Sequence, residues 1–406
     1  MTQISRWTRR AFTVALTGAL AVGLATEGAF AQAPSGKPIR IGQTLALTGP
    51  LAQTGIVHKT VGDIFIADLN KSGGLLGRKI EWLVLDDQSK PDVARTLYER
   101  LITVDKVDLI MGPYATANIL AAIGVAQRYK KLIIHNTMGI PSLATYDWQF
   151  NALLSGPEPN KSLPNLFFGA YASVKPLTSV TIVTSKFPSA KFTMDGARDV
   201  AKQRGIEVKD YMEYDFGNRE YGPIAARVKA ADSDALFVGA LGVEGNQLIE
   251  AMNKLDYKPR NALYLFPSPS IATVPGAENV LSQTNLENAE PYLSNPTIAK
   301  FAKEFHEKAA AANMPYPFVD SQAGFAFESW EVLVAAVKAT KSIDDKKIAE
   351  WLKTHDVETS LGKRNFRGAH NTNDTDLTHI RQVQNKQFVT VWPIDKRTPG
   401  AKIVVK

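Results

Sequence analysis

The chain of 406 residues contains no cysteine. This absence excludes a disulfide scaffold, a thiolate zinc site, a cysteine nucleophile and a lipid anchor on cysteine. Apolar residues make up 45% of the chain and charged residues 21%. That composition is typical of a globular protein with a large core, and it excludes a disordered chain, a collagen, a coiled coil and a multi-span membrane protein. The length predicts two or three domains.

Concentrated positive charge is also absent. The formal net charge is +7, but the basic residues are scattered, and the densest clusters, Lys346-Lys347 and Lys363–Arg367, are short. A nucleic-acid-binding protein usually carries a basic stripe on one face. We therefore expect no nucleic-acid partner and interpret most of the charge as solvated surface.

Catalytic and metal-binding motifs are missing as well. The chain has no Gly-x-Ser-x-Gly elbow, no Walker loop and no His-Glu-x-x-His sequence, and its six histidines show no metal-ligand spacing. His135 ends an apolar strand, so it is either a structural residue or a group that reaches a cleft. The polar segment 371–376 lacks the central Gly and closing Glu of a Ca²⁺ loop. We therefore expect no metal, no cofactor and no enzymatic activity.

The N-terminus carries the most specific local signal. Three arginines at positions 6, 9 and 10 precede an apolar run over 11–26, and Ala29-Phe30-Ala31 is a small-x-small cleavage site. The sequence predicts a signal peptide over 1–31 that is cleaved near Ala31, because the apolar run is shorter than the ~20 residues that span a bilayer. Arg9-Arg10 leaves both the Sec and the twin-arginine route open. We expect a free protein in the periplasm of a Gram-negative bacterium.

From residue 37 onward, short β-rich runs alternate with segments of helical periodicity. A first series has strands at Ile39–Leu47, Ile80–Leu85, Val107–Met111 and Leu132–Ile134, and a second runs from Val180–Thr184 to Ala262–Phe266. Nearly continuous apolar strands that alternate with helices predict parallel sheets covered on both faces. The predicted fold class is therefore α/β, with two doubly wound lobes of similar design.

Two stretches interrupt this alternation. Proline-rich residues 141–175 and residues 267–295 are predicted to be irregular, apart from an extended run at Trp148–Leu154. The later part of the chain contains three helical segments and a closing hairpin, at Thr297–Ala312, Val319–Thr340, Asp344–Lys353 and His379–Trp392.

Loops rich in hydroxyl and amide groups follow several strands of the first series. They cover 47–55, 112–118 and 135–139. In doubly wound sheets, the carboxyl ends of the strands and the helix N-termini that follow them form a ligand crevice. Free N–H groups and threonine hydroxyls there suit a carboxylate or carbonyl oxygen. Each threonine either contacts a ligand or caps a helix or turn, and three such loops on one edge favour a binding site.

Several segments, in the same order and spacing, resemble the leucine/isoleucine/valine-binding protein family. They are Ile39–Gly55, Leu69–Arg78, Val84–Asp87, Leu109–Gly112, Met194–Arg198, Asp234–Gly239, Gly324–Trp330 and Gln387–Pro393. Each segment is loosely matched, and the resemblance covers nearly all of residues 37–395. The family comprises solute-binding subunits of ABC importers with the type I periplasmic-binding-protein fold.

The resemblance implies a mechanism and a domain plan. A small-molecule ligand would bind between two lobes that three hinge segments join near 150–160, 285–296 and 353–362, and the closed monomer would dock on a membrane permease. Lobe one would comprise 37–155 plus 297–352, and lobe two 156–290 plus 356–395.

The sequence departs from the amino-acid binders of this family where they hold the ligand's amine and carboxylate. Gly139 stands where a threonine would align, and Pro267-Ser268-Pro269 replaces the expected acidic residue. Glu244, in a neighbouring loop, is the candidate to supply this acid. A buried ammonium without a carboxylate is costly. The ligand is therefore an amino acid, an aromatic or other organic acid, or an amide.

The predicted ligand-binding residues come from both lobes. They are Thr48, Thr54, Tyr114, Ala115, Thr116, Asn136, Thr137, Tyr171, Phe187, Glu244 and Phe266. Two alternatives to an importer subunit remain open at this stage. One is a secreted α/β enzyme that acts on a small molecule, and the other is a ligand-sensing partner of a membrane receptor.

Overall fold

The first lobe is built on a parallel five-stranded sheet. The computed structural model describes residues 34–373 and 377–406, so the predicted signal peptide lies outside the described residues. The sheet has the order β2-β1-β3-β4-β5. Its elements are β1 (Ile39–Leu45), α1 (Ala52–Lys71), β2 (Ile80–Asp86), α2 (Pro91–Thr103), β3 (Leu109–Met111), α3 (Thr116–Tyr129), β4 (Ile133–His135) and β5 (Gln149–Asn151).

The second lobe repeats this winding. Its parallel strands lie in the order β7-β6-β8-β9-β10, the same order relative to the chain as in the first sheet. The elements are α4 (Pro159–Ala172), β6 (Ser179–Ser185), α5 (Pro188–Gln203), β7 (Glu207–Tyr214), α6 (Gly222–Ala231), β8 (Ala235–Gly242), α7 (Glu244–Asn253), β9 (Asn261–Pro267) and β10 (Leu281–Thr284). The predicted fold class of two doubly wound α/β lobes is confirmed.

The chain then returns to the first lobe before it completes the second sheet. Helices α8 (Pro296–Ala311), α9 (Ser321–Thr340) and α10 (Asp345–Thr354) precede a small hairpin of β11 (Val357–Thr359) and β12 (Gly362–Arg364). The antiparallel strands β13 (His379–Gln384) and β14 (Gln387–Trp392) extend the second sheet beyond β10. Among the described residues, no helix is both long enough and apolar enough to cross a bilayer.

The prediction that 141–175 is irregular apart from Trp148–Leu154 was wrong, because this stretch contains the whole of α4, whereas β5 lies within the predicted extended run. Helix α4 tolerates Pro159 in its first turn, where the missing N–H costs little. Pro164 inside the helix leaves the carbonyl of Asn160 without its intrahelical donor. Gly196 of α5 packs against that carbonyl so closely that a Cβ there would lie 1.8 Å from its oxygen. The close packing of α5 on α4 thus accommodates Pro164, a residue type that usually ends a helix.

Two further differences concern the segments between the lobes. Strand β10 lies inside the stretch 267–295 that is predicted to be irregular, and it pairs with β9 and β13. Residues 357–373 pack on the first lobe, where Phe366 contacts Phe150 edge to face with ring centroids 5.4 Å apart. The predicted third crossover near 353–362 and the assignment of 356–373 to lobe two differ from this packing. The other lobe limits stay a prediction.

Buried ion pairs join α9 to later parts of the chain and to the segment after β10. Arg381 of β13 contacts Glu287 at 3.1 Å and Asp320, the N-cap residue of α9, at 3.3 Å. Arg364 contacts Glu328 in the middle of α9 at 2.5 Å. All five side chains are at most 2% exposed. These pairs therefore tie the start of α9 to β13 and the middle of α9 to β12.

Candidate functional site

The carboxyl ends of the two sheets face each other across a closed cleft. A cluster of apolar side chains from both lobes fills this boundary, and we call it the cleft cluster. Its buried members are Ala46, Leu51, Tyr114 and Ala115 from the first lobe, and Phe187, Ala190 and Leu241 from the second. Half-buried Phe216 and Phe266 pack against it. A single apolar cluster with members from both lobes means that the described conformation is closed.

The N-terminus of α3 forms one wall of the cleft. Ala115 precedes the helix with φ 75° and ψ 142°, and its N–H donates to Thr137 Oγ1 at 3.0 Å. The buried Thr116 hydroxyl donates to the Thr137 carbonyl at 3.3 Å and accepts from the Gly139 N–H at 3.0 Å. These bonds tie the loops after β3 and β4 together. They also hold Ala115 in its unfavourable backbone conformation, and such strained residues are common at ligand sites.

The second lobe supplies aromatic side chains to the opposite wall. Phe187, just before α5, contacts Phe216 edge to face with centroids 5.0 Å apart. Phe266 adopts φ 53° near the end of β9. A positive φ is unusual for a bulky residue, so each lobe contributes one strained backbone position to the cleft.

Glu244 supports this aromatic wall from within the second lobe. Its carboxylate accepts hydrogen bonds from the N–H of Gly217 at 3.0 Å and of Leu241 at 3.2 Å, and from the Tyr214 hydroxyl at 3.4 Å. Burial raises the pKa of Glu244, although the two backbone hydrogen bonds act in the opposite direction. Both carboxylate oxygens are engaged inside their own lobe, so Glu244 orders the loops after β7 and β8.

A small cavity lies at the centre of the cleft. Its lining comprises Tyr114, Ala115, Thr137, Leu153, Ser189, Leu241, Phe266, Gln322 and Phe325. Its volume of about 10 Å³ is room for one water molecule. None of the described residues that line it carries a charge. The cavity therefore offers hydroxyl, amide and backbone groups in an apolar surround.

Close contacts between the lobes explain why the central cavity is so small. A Cβ at Gly139 of the first lobe would lie 2.5 Å from Ser189 Cβ of the second. The hydroxyls of Ser268 and Ser270, in the second lobe, donate to Gln53 Oε1 of α1 at 2.5 and 2.8 Å. We call this set of hydrogen bonds the Gln53 bridge.

The histidines near the cleft are buried and neutral. His58 packs edge to face on Tyr114 with centroids 5.2 Å apart, and its Nε2 lies 3.4 Å from Gln322 Oε1. Burial lowers the pKa of His58, and likewise of His135, to about 4. His135 lies 2.6 Å from Gln149 Oε1 inside the first lobe and does not line the central cavity, so the structural alternative holds for it.

The structure brings most of the predicted site residues to the cleft. Tyr114, Ala115, Thr137 and Phe266 line the central cavity, and Phe187 belongs to the cleft cluster. Buried just behind this wall, the Thr54 hydroxyl lies beside that of Tyr114, and Thr116 ties two loops as described.

Three predicted residues lie elsewhere. The exposed Thr48 hydroxyl donates to Asp86 Oδ2 at 2.7 Å and closes the turn after β1. Asn136 lines a separate internal cavity of the first lobe. Tyr171 stacks on Phe237 in the core of the second lobe, with centroids 5.9 Å apart. Its position follows from α4, the helix that the sequence did not predict.

Sequence reasoning missed five residues that line the central cavity. Ser189 and Leu241 lie at or just beyond the carboxyl ends of β6 and β8, so the rule applied to the first lobe could have found them. Leu153 follows β5 and lies near the end of the predicted extended run Trp148–Leu154, so the same rule could have found it. Gln322 and Phe325 come from α9, far along the chain, and no local pattern marks them. Among the described residues, no three His, Asp or Glu side chains are grouped to hold a metal ion.

Comparison with known proteins identifies the family. Residues 38–387 match the family model described as periplasmic binding protein. The chain belongs to this family. It is 21% identical to an amino acid binding protein of Pseudomonas aeruginosa, over 74% of this chain and 78% of the relative. It is 22% identical to the Leu/Ile/Val-binding protein of Escherichia coli K12, over 82% of this chain and 88% of the relative.

Solved structures of periplasmic binding proteins share the fold. A solute-binding protein of an ABC transporter from R. palustris, in complex with benzoate, superposes with a TM-score of 0.73 at 17% identity, over 91% of this chain and 99% of that chain. A leucine-binding protein from Thermotoga maritima superposes with a TM-score of 0.71 at 18% identity, over 86% of this chain and 97% of that chain. The resemblance to the leucine/isoleucine/valine-binding proteins is confirmed. This periplasmic binding protein is therefore a solute-binding protein.

Proposed function

We propose that this protein captures a small organic carboxylate in the cleft and delivers it to the permease of an ABC importer. The observation that carries the proposal is the cleft cluster, which is formed by both lobes around a cavity with hydroxyl and amide groups in its wall. Binding proteins of this family bind small ligands and pass them to such permeases. Hinge closure would bury the solute, and the closed form would be the one that docks.

The lining of the cleft favours an acid or amide over an amino acid. A buried ammonium needs a carboxylate partner, but the predicted acid, Glu244, is occupied by its own lobe. A carboxylate would instead accept hydrogen bonds from the N–H groups at the start of α3 and from the hydroxyls of Tyr114, Thr137 and Ser189. The aromatic wall suits an apolar or aromatic body. Two structural neighbours are complexes with benzoate and 3,4-dihydroxybenzoic acid, which supports this class.

A pair of compounds that differ only in the ammonium group tests this proposal. We expect 3-phenylpropanoate to raise the melting temperature and to bind in calorimetry, and phenylalanine to bind much more weakly. A ligand at 100 times its Kd adds about 2.7 kcal/mol to the free energy of unfolding, which is a clear shift. Leucine against 4-methylpentanoate, and benzamide against benzoate, serve as further matched pairs. Tighter binding of the amino acids would contradict the proposal.

The processing and state of the protein are part of the same proposal. The signal peptide is removed near Ala31, and the mature protein is a periplasmic monomer that does not bind nucleic acid and does not convert its ligand. N-terminal sequencing of protein from a periplasmic extract should begin at Gln32, and light scattering should give the mass of one chain. Recovery of unchanged ligand after prolonged incubation would support a carrier, whereas recovery of a product would support the enzyme alternative.

A further inference from the structure

A second pocket between the lobes lies on the outer side of the Gln53 bridge. Its volume is about 240 Å³, far larger than the central cavity. Val57 of α1, Pro269 of the second lobe and the segment 312–316 before α9 form its walls. We call it the outer pocket.

The size and chemistry of the outer pocket suit an aromatic or aliphatic group. An apolar cavity of about 150 Å³ is enough to bind benzene. None of the described residues that line the outer pocket is charged, and the side chains of Met314, Pro315 and Tyr316 make much of its wall apolar. The polar groups of the lining include Gln53, Ser268 and Ser270, and these form the Gln53 bridge.

The outer pocket depends on both lobes and on a well-anchored segment. Tyr316 packs on Phe388 of β14 edge to face, with centroids 5.6 Å apart, and its hydroxyl accepts from the Phe388 N–H at 3.4 Å. The segment 312–316, which follows α8 of the first lobe, is thus attached to the second lobe through Tyr316. A group bound in the outer pocket would contact both lobes and would stabilise closure.

The residues of the Gln53 bridge are close neighbours in the chain of residues at the central cavity. Phe266 lines the cavity, and Ser268, two residues later, lines the pocket. On the other side, Gln53 lines the pocket and is followed by Thr54, which lies beside Tyr114 of the cavity. Gln53 therefore stands next to both sites, and its amide can swing aside by rotation about its side-chain bonds.

We propose that the outer pocket binds the apolar tail of an elongated carboxylate whose head group occupies the central cavity. This inference rests on the proposed function for the head group. It assigns to the solute a second apolar part, of about the size of a benzene ring, beyond the Gln53 bridge. The tail brings no charge into the outer pocket. Rotation of the Gln53 side chain would open a passage for it, and the lobes would separate slightly around the head group, because the central cavity of the described conformation has room for one water molecule.

Two ligands of different length and two variants test the tail. We expect 4-phenylbutyrate to bind at least tenfold more tightly than butyrate, because burying an aromatic ring is worth at least that factor. Ala312→Trp fills the outer pocket from an exposed position and should abolish this gain. Ala311→Trp, next to it but outside the lining, is the matched control and should keep it. Equal affinities of the two ligands, or a gain that survives Ala312→Trp, would overturn the inference.

A second experiment, without any carboxylate, tests the outer pocket independently of the proposed function. Benzene alone should shift the NMR signal of the Met314 methyl group, assigned with Met314→Leu, and Ala312→Trp should suppress the shift. No shift with benzene would overturn the inference. If no carboxylate binds but benzene still shifts the signal, the outer pocket is upheld as an aromatic site, and the proposed function is what fails.

Discussion

Gly139 lies against the other lobe, and adding one methyl group there should hold the cleft open. In Gly139→Ala, the new Cβ would lie 2.5 Å from Ser189 Cβ and 3.5 Å from its Cα and Oγ. Carbon atoms prefer separations of about 3.5–4.0 Å, so the lobes must separate by roughly 1 Å at this point. The backbone of Gly139 is not in the left-handed region, so alanine adds no strain within the first lobe.

Gly139→Ala should make closure of the lobes less favourable in free energy and should therefore weaken ligand binding. Forcing an extra carbon into a well-packed contact costs about 1–3 kcal/mol. Since 1.4 kcal/mol is a factor of ten in an equilibrium constant, the Kd of a cleft ligand should rise about 5- to 150-fold. The melting temperature of the free protein should change little, because an open form relieves the contact.

Calorimetry with 3-phenylpropanoate measures this change, and a second substitution checks its cause. Ser189→Gly removes the Cβ that Gly139→Ala meets, together with one proposed hydrogen bond to the ligand. Gly139→Ala should therefore lower the affinity much less in the Ser189→Gly background than in the wild type. Gly124→Ala in α3 is the matched control, because a Cβ there meets no atom within 4 Å. Wild-type affinity in Gly139→Ala, or an equal loss from Gly139→Ala in both backgrounds, would refute the reasoning.

Three further predictions concern buried polar groups. Thr116→Ala leaves the Gly139 N–H without an acceptor and should lower the free energy of unfolding in urea by about 1–3 kcal/mol, whereas Thr116→Ser should retain it. Burial raises the pKa of Glu287 to about 7, so the folded protein holds a proton that the unfolded chain releases near pH 4.3, and stability should fall as the pH rises from there through 7. In urea titrations between pH 5 and 8, Glu287→Gln should flatten the dependence of the free energy of unfolding on pH. An unchanged dependence would argue against the raised pKa of Glu287. Arg381→Met leaves Glu287 and Asp320 buried without a cation and should cost about 3–5 kcal/mol at pH 8; a loss below 1 kcal/mol in thermal unfolding would contradict this.

Local patterns in the sequence were enough to predict the architecture. The period of apolar residues marked most strands and helices of both lobes within a few residues, because periodicity reflects the face that each element buries. The carboxyl-end rule then pointed to Tyr114, Ala115 and Thr137, since the ends of parallel strands must meet at one edge. It also pointed to Thr48, which forms a turn, because a threonine that caps and a threonine that binds look alike in sequence.

The tertiary structure alone decided how the cleft is completed. Helix α4 forms despite Pro164 because Gly196 lets another helix cover the exposed carbonyl, and this helix carries Tyr171 into the core. Gln322 and Phe325 reach the cavity from a distant helix. The sequence by itself determined the two lobes and the edge at which we propose that ligand binds, because those follow from short-range periodicity. Which side chains meet across that edge depends on how two separately folded lobes close on each other, and no local pattern encodes that contact.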